Sequence, residues 1–406
     1  MTAVPEAVPE ALEGLEGLEG WRATYSARIM KSTALPSREL VRGDGCYVWD
    51  DTGTKYLDFL AGIAVNALGH AHPVLVEAVS RQIATVAHVS NYFANPPQLE
   101  LADRLTRLAG GDRVYFCNSG AEAIEAAIKL ARRTGRPRIL SLINSFHGRT
   151  MGSLSLTGKP ALREPFEPLV PNVEHIDSTI EALKNAMGPD VAALVVEPIK
   201  GEAGVIDLPE GYLAAAREIT REAGALLILD EIQTGAGRTG TWWAFQQHGI
   251  VPDAIALAKG IGGGVPIGAL VTFGEASDLF TAGQHGSTYG GNPLATAASN
   301  AVLGEIERAN LVYNAAIRGE QLRAAIAGLP LVDEIRGRGL LIGVGLTAPV
   351  APAVVARALD LGLIINAPND TSIRLAPPLI IGDAETTEFI AKFTEALTAV
   401  STEVAP

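Results

Sequence analysis

Short, fully apolar segments alternate with amphipathic segments through the middle of the chain. The apolar segments carry a hydrophobic side chain at nearly every position, as strands do when both faces of their sheet are covered. The segments between them, such as residues 97–108 and 212–223, carry apolar residues at helical spacing. We therefore predict an α/β fold in which helices cover a mostly parallel sheet. The predicted strands are residues 113–117, 138–142, 191–196, 225–229 and 254–258.

The pattern changes towards both ends of the chain, and these changes define the predicted domains. Residues 21–94 include two strand-like runs around an Asp51-Thr-Gly turn, and residues 296–406 alternate long helices with paired strands. We predict that these two segments build one smaller α+β domain, and that residues 95–295 form the large domain. Residues 1–20 contain the repeat LEGLEGLEG and no lysine or arginine, so we expect a disordered acidic tail.

The composition narrows the possible functions. The chain has 406 residues, of which 48% are hydrophobic and 19% are charged, which is enough for a sizeable core. Its net charge of −13 repels phosphate backbones, so we expect no nucleic acid partner. Cys46 and Cys117 lack disulfide or zinc spacing and the histidines form no HExxH motif, so we expect no metal site. Because no signal peptide or long apolar run is visible, we expect a cytoplasmic protein without a membrane partner.

Candidate functional residues follow the predicted strands, where open α/β sheets bind their ligands. The strand at 113–117 leads through Asn118 into Ser119, Gly120 and Ala121, which open a helix. Backbone N–H groups at a helix start bind anions, and the serine adds a hydroxyl. The alternative is an ordinary helix cap, because serine is common at that position.

Two charged residues follow neighbouring predicted strands of the sheet. Asp230 ends one fully apolar strand, and Lys259 follows the next one, before a run of glycines. A carboxylate at such a place needs a cationic partner, and an amine beside flexible backbone can reach a bound cofactor. A single lysine is more often a solvated surface residue. The pairing of the two strand ends favours the functional interpretation.

Several further side chains lie in loops beside the same sheet edge. Phe146 can cover an aromatic ring, and Arg149 can bind a carboxylate with both of its terminal nitrogens. Glu197 directly follows the strand at 191–196, and Glu202 lies on the glycine-flanked loop at 201–204. The alternative for either glutamate is a solvated loop charge. Arg374 is a lone cation in an apolar stretch, and such an arginine is more often a paired structural residue. Residues 287–293 form a loop rich in hydroxyls and glycines, which suits a phosphate or a second subunit.

Taken together, these motifs resemble those of the class III, fold-type-I aminotransferases, which use pyridoxal 5′-phosphate (PLP). The resemblance runs from about residue 35 to the C-terminus. It rests on the motifs GIAVNALGHAHP (62–73), NSGAEA (118–123), FHGRTMGSLSLTG (146–158), EPIKGEAG (197–204), LDEIQTGAGRTG (229–240), LAKGIGGGVPIGA (257–269), HGSTYGGNP (285–293) and RLAPPL (374–379).

The resemblance implies a role toward PLP for most of the candidates. Lys259 would bond covalently to the cofactor and then move the proton between carbon atoms. Asp230 would lie against the pyridine nitrogen, Gln233 would bind the ring hydroxyl and Phe146 would cover one face of the ring. The helix start at Ser119, Gly120 and Ala121 would hold the phosphate.

The resemblance also implies partners. Thr288 would reach the phosphate of a neighbouring subunit, so we expect a homodimer with shared sites, and Ser287 would help to bind the substrate. Arg149 would bind the carboxylate of a donor such as N2-acetylornithine, and both Arg149 and Arg374 would bind 2-oxoglutarate. Glu202 would pair with Arg374 when no carboxylate is there. The products would be N-acetylglutamate 5-semialdehyde and glutamate, in arginine biosynthesis.

Other activities of the same family remain open at this point. The donor could also be ornithine, succinylornithine or 4-aminobutyrate, although Arg149 and the wording of the motifs favour N2-acetylornithine, and a racemase or mutase on this fold is a further possibility. A binding protein without a cofactor is a third class, but the presence of both Lys259 and Asp230 argues against it. Three residues depart from the family's usual pattern: Phe93, Ile124 and Lys200. Of these, Phe93 bears on the donor, because it replaces a tyrosine hydroxyl near the predicted site.

Overall fold

A computed structural model of the chain describes residues 20–404, so the predicted acidic tail, apart from Gly20, lies outside the described residues. The strands are β1 (Leu40–Asp44), β2 (Tyr47–Asp50), β3 (Lys55–Asp58), β4 (Arg113–Cys117), β5 (Arg138–Leu142), β6 (Val173–Ile176), β7 (Val191–Val196), β8 (Ile199–Lys200), β9 (Ile206–Asp207), β10 (Leu226–Asp230), β11 (Ala254–Leu257), β12 (Gly268–Thr272), β13 (Val332–Arg338), β14 (Leu341–Leu346), β15 (Leu363–Ile364), β16 (Asn366–Asn369) and β17 (Ser372–Leu375).

The α-helices are α1 (Gly20–Arg28), α2 (Ala61–Ala64), α3 (Pro73–Thr85), α4 (Pro96–Ala109), α5 (Gly120–Arg132), α6 (Met151–Leu156), α7 (Pro160–Arg163), α8 (Ile180–Ala186), α9 (Tyr212–Ala223), α10 (Pro293–Arg308), α11 (Leu311–Ile326), α12 (Ala351–Asp360) and α13 (Asp383–Val404). No helix among residues 20–404 is long and apolar enough to cross a membrane.

A seven-stranded sheet lies at the centre of the fold, in the order β4-β12-β11-β10-β7-β5-β6. Strands β10, β11, β7, β5 and β6 pair in parallel, and β12 runs antiparallel to both of its neighbours. Every residue of β7 and β11 is buried, as expected for strands that helices cover on both faces. The predicted α/β fold with a mostly parallel sheet is therefore confirmed.

Two strands of this sheet escaped the sequence prediction. Strand β6 has two polar residues between two apolar ones and lies at the sheet edge, so it lacks the continuous apolar run of the inner strands. Strand β12 begins with a glycine and follows the glycine-rich stretch after Lys259, which obscures its start in the sequence. It pairs antiparallel with β11 because the connection, residues 258–267, returns the chain to the adjacent position without a helix that crosses the sheet.

The two ends of the chain meet in smaller sheets beside the central one. β15 pairs in parallel with β3, so a C-terminal strand extends the N-terminal hairpin of β1, β2 and β3. The ring of Phe59 stacks on that of Phe389 in α13, with ring centroids 4.2 Å apart. A second small sheet has the order β13-β14-β17-β16, and β17 carries Arg374. These pairings agree with a domain built from both chain ends, and the limits at residues 94/95 and 295/296 stay predictions.

Candidate active site

A cavity of about 350 Å³ opens at the carboxyl ends of the parallel strands. Its wall combines the start of α5 with the loops that follow β5, β7, β10 and β11. Most of the predicted site residues line it: Ser119, Gly120, Ala121, Phe146, Asp230, Gln233 and Lys259. The sheet brings them together because the ends of its parallel strands lie on one edge.

Lys259 begins a short 3₁₀ turn directly after β11. Its backbone has a φ of 48°, a left-handed value that is uncommon for a residue other than glycine and is typical of functional sites. Burial lowers the pKa of the ammonium group, and the Glu202 carboxylate opposes this effect only in part. A lysine whose pKa is lowered can lose its proton more easily, as a nucleophile or a base requires.

Asp230 is buried at the end of β10 and bonds to a histidine that the sequence analysis did not single out. Its Oδ2 lies 2.7 Å from Nδ1 of His147, and its Oδ1 accepts a hydrogen bond of 3.1 Å from the backbone N–H of Ile232. The His147 ring is fully buried, and its Nε2 has no partner among the described residues. His147 therefore orients the Asp230 carboxylate. The only signal in the sequence was its place next to Phe146.

Glu197 is a second residue whose role the sequence analysis missed. It is buried at the end of β7, where it accepts hydrogen bonds from the backbone N–H groups of Phe146 (2.8 Å) and Gly201 (3.2 Å). Burial raises its pKa to about 7, although nearby His147 favours the charged form. The alternative of a solvated loop charge is thus wrong for Glu197, which ties two loops of the cavity together.

The start of α5 combines a helix cap with free backbone donors. The hydroxyl of Ser119 accepts a hydrogen bond of 3.2 Å from the backbone N–H of Glu122, so the serine is a cap. The N–H groups of Gly120 and Ala121 line the cavity and have no acceptor among the described residues. A Cβ at Gly120 would lie only 2.8 Å from the side chain of Ile232, so this close approach requires glycine. Such donors fit an anionic group of the size of phosphate.

Arg374 and Glu202 lie in contact with each other, as the resemblance implied, and beside Gln233 of the cavity wall, although neither lines the cavity itself. The Arg374 side chain is fully buried, and Nη1 contacts Glu202 and also lies 3.2 Å from Oε1 of Gln233. Its Nε donates to Asn366 at 3.1 Å, whereas Nη2 is buried without a partner among the described residues. Burial alone would raise the pKa of Glu202, but the guanidinium outweighs it and lowers that pKa. One nitrogen of Arg374 thus remains free to bind an anion.

Arg149 lies outside the cavity wall. Its guanidinium carbon is 5.7 Å from the centroid of the Phe146 ring, and its side chain is exposed. No carboxylate within residues 20–404 forms an ion pair with it, so a carboxylate ligand would meet an arginine without a competing partner. Arg149 and Arg374 therefore differ in their state: the first is unpaired and the second is paired.

Thr288 is exposed and does not line the cavity of its own chain. The hydroxyl of Ser287 accepts a hydrogen bond of 2.9 Å from Asn118 and one of 3.2 Å from the backbone N–H of Gly290. These contacts hold the loop next to the start of α5. They do not bring Ser287 into the cavity either.

The three residues that depart from the family pattern have different surroundings. Ile124 is fully buried in the core, and Phe93 is 67% exposed and outside the cavity wall. Lys200 is buried and donates hydrogen bonds to the carbonyl of Ile143 (2.6 Å) and to the hydroxyl of Ser178 (2.5 Å). None of the three lines the cavity.

Comparisons with known proteins identify the family of the chain. The family described as aminotransferase class-III matches residues 30–397. An acetylornithine aminotransferase of Mycobacterium tuberculosis is 51% identical over 376 residues, which covers 91% of this chain and 94% of that protein. Its counterpart in Streptomyces coelicolor is 51% identical over 370 residues, with 90% and 91% covered.

Solved structures give the same result for the fold. An ornithine aminotransferase from Toxoplasma gondii, with partial occupancy of PLP at its active site, has a TM-score of 0.90 at 33% identity, covering 97% of this chain and 98% of that one. An acetylornithine aminotransferase from Elizabethkingia anophelis has a TM-score of 0.82 at 31% identity, with 93% and 97% covered.

Proposed function

Because the chain belongs to the class-III aminotransferases, we propose that it transfers the ω-amino group of N2-acetylornithine to 2-oxoglutarate, in arginine biosynthesis. The products are N-acetylglutamate 5-semialdehyde and glutamate. The observation that carries the choice of an ω-amino donor is the state of the two arginines. Arg149 is unpaired and lies near Phe146, outside the cavity wall, whereas Arg374, beside Gln233, is paired with Glu202.

PLP is the cofactor of this enzyme, and the cavity residues fit it. The free N–H groups of Gly120 and Ala121 would hold its phosphate, and Phe146 would cover its ring. Asp230, held by His147, would face the ring nitrogen, and Gln233 would lie near the ring hydroxyl. When bound, PLP supplies an aldehyde that accepts the amino group and a ring that withdraws electrons from the reacting carbon.

The protein's own groups then divide the work. Asp230 would favour a proton on the ring nitrogen, because a buried carboxylate stabilises a positive charge beside it. Lys259 would hold the cofactor in the resting enzyme, and its amine would be the base that moves a proton between carbon atoms when it is not bonded to the cofactor. Burial lowers the pKa of this lysine, which favours the neutral amine that the task requires.

Each substrate meets a different arrangement of charges. N2-acetylornithine has one carboxylate, remote from the reacting amine. Arg149 would bind this carboxylate, and the ion pair between Arg374 and Glu202 would stay intact. 2-Oxoglutarate has two carboxylates, and the one beside its keto group needs Arg374, so Glu202 must rotate away. A fully buried arginine with a neutralising partner suits this alternation, because an unpaired buried charge costs several kcal/mol.

A second candidate donor is ornithine. The structural similarity to an ornithine aminotransferase favours it. The test is a panel of four donors with 2-oxoglutarate: N2-acetylornithine, ornithine, succinylornithine and 4-aminobutyrate. We expect the highest kcat/KM for N2-acetylornithine. A higher kcat/KM for ornithine would reject the proposed donor and leave the aminotransferase assignment intact.

We also propose that the enzyme is a homodimer. Support comes from an exposed apolar surface on α3 and the residues after it, with Val76, Ile83, Tyr92 and Phe93 exposed by 49% to 91%. This surface adjoins the loop of Thr288, since Asn91 donates to the carbonyl of Ser287 at 3.0 Å. A second copy on this surface would take Thr288 to its partner's cavity. Light scattering on the purified protein tests this, and a monomer that is fully active would refute it.

Two buried free cysteines suit a reducing compartment, so we propose that the enzyme works in the cytoplasm. Fractionation of cells that express the tagged protein tests the location.

A further inference from the structure

The loop that carries Glu202 (residues 201–204, the Glu202 loop) is held by side chains from three separate parts of the chain. Lys159 donates a hydrogen bond of 2.6 Å to the carbonyl of Glu202. Asn369 donates a hydrogen bond of 3.1 Å to the carbonyl of Ala203, and Arg336 donates one of 2.9 Å to the carbonyl of Gly204. Three consecutive carbonyls thus have side-chain donors. The backbone of the loop is fixed, and the Glu202 side chain is the part that is free to rotate.

Lys159 differs from the other two donors in the residue that it holds. It bonds to the backbone of the same residue whose carboxylate neutralises Arg374. Lys159 is half-buried, burial lowers its pKa, and no carboxylate of the described residues forms an ion pair with it. Partial burial of an unpaired ammonium group is costly, so its contact with Glu202 has to provide a compensating gain.

We infer that Lys159 is a positioning residue for substrate specificity: it holds the Glu202 backbone so that the carboxylate of Glu202 closes on Arg374. This inference rests on the proposed function, in which that pair excludes a carboxylate beside the reacting carbon. A ligand with a carboxylate there must displace Glu202 from Arg374. When Lys159 anchors the backbone, Glu202 competes well for the guanidinium. Without Lys159 the loop relaxes, and Glu202 competes less well.

The test is a double-mutant cycle on the holoenzyme, with binding of glutarate measured by isothermal titration calorimetry. Glutarate is a five-carbon dicarboxylate that cannot react, so the measurement is independent of turnover. Lys159→Met is made in the wild-type chain and in Glu202→Ala. The substitution of Lys159 removes a cation near the site in both backgrounds. Only in the wild-type background does it also release the Glu202 carboxylate. The ratio of the two changes in affinity isolates the coupling between Lys159 and Glu202.

We expect Lys159→Met to improve glutarate affinity about three- to tenfold more in the wild-type chain than in Glu202→Ala, a usual range for residues of one contact network. The matched control is Lys392→Met, since Lys392 donates to the carbonyl of Gly362 at 3.0 Å and does not line the cavity. It should leave glutarate affinity unchanged. A coupling ratio of one would overturn the inference.

Kinetics provide a readout that a purely structural lysine would not move. Lys159→Met should raise kcat/KM for glutamate as amino donor relative to that for N2-acetylornithine, whereas loss of stability alone would lower both equally. Lys159→Gln enters the same cycle, so the inference can be refuted even where the methionine variant does not fold. If the enzyme prefers another ω-amino donor but the coupling between Lys159 and Glu202 is present, the proposed donor is wrong and the role of Lys159 stands. A coupling ratio of one in an enzyme that uses N2-acetylornithine refutes the role of Lys159 alone.

Discussion

Replacement of Arg374 by glutamine should slow the half-reaction with 2-oxoglutarate and leave the half-reaction with N2-acetylornithine close to its wild-type rate. The proposed function requires this asymmetry, because only the acceptor carries a carboxylate next to its reacting carbon. Replacement of Arg149 by glutamine should instead slow both half-reactions, since each substrate has a carboxylate at the distant end.

The structure sets the size of these effects. Arg374 is fully buried, and a hydrogen bond between charged groups contributes about 1.5–3 kcal/mol. Since each 1.4 kcal/mol corresponds to a factor of ten, Arg374→Gln should lower kcat/KM for 2-oxoglutarate by roughly 10- to 100-fold. Arg149 is exposed, and water weakens its interaction with a ligand, so its loss should cost about tenfold or less in each half-reaction.

The assay is stopped-flow absorbance of the cofactor, with each half-reaction followed separately in a single turnover. One further variant is needed, because Arg374→Gln leaves the Glu202 carboxylate without its cation and able to repel the acceptor. The double variant Glu202→Gln/Arg374→Gln removes both charges and should recover part of the loss for 2-oxoglutarate. Equal losses in both half-reactions for Arg374→Gln would refute the proposed division between the two arginines.

Three further predictions concern the cofactor site and stability. Lys259→Ala should abolish the visible absorbance of the lysine-bound cofactor and nearly all transamination while circular dichroism stays unchanged; wild-type turnover would disprove the assignment. Asp230→Asn should retain the cofactor but lower kcat by about 10²–10³, and an unchanged kcat would make Asp230 merely structural. Burial raises the pKa of Glu231 to about 7 from its ordinary 4.5, so the stability that its protonated form contributes is complete below about 4.5 and is lost as the pH rises through 7. The melting temperature of Glu231→Gln, relative to that of the wild type, should therefore rise between pH 5 and pH 8. A difference in melting temperature that does not change with pH would contradict this.

Local patterns in the sequence were enough to predict the central sheet and several groups of the cavity. Strands such as β7 are apolar at every position because helices cover both faces, and this pattern is visible without the fold. Residues that end such strands, Asp230 and Lys259 among them, must then lie at one edge of the sheet. The resemblance to a family added the cofactor, the roles of these residues and the pairing of Glu202 with Arg374.

The contacts that adjust these groups could not be read from the sequence. His147 and Asp230 are 83 residues apart, and the loop histidine resembles any polar loop residue until the sheet brings it against the aspartate. Glu197 follows its strand as Asp230 does, but its burial depends on two loops folding over it. The edge strand β6 was missed for a related reason, because a half-exposed strand has no continuous apolar run.

The sequence by itself therefore determined which chemical groups stand at the strand ends, since burial of a strand requires an apolar pattern that can be recognised locally. Only the tertiary structure decided which of these groups are paired. Arg374 and Glu202 are 172 residues apart, and Lys159 is 43 residues from the carbonyl that it holds. Because the availability of a charged group to a ligand depends on its neighbours, the contact with Glu202 distinguishes the paired Arg374 from the unpaired Arg149.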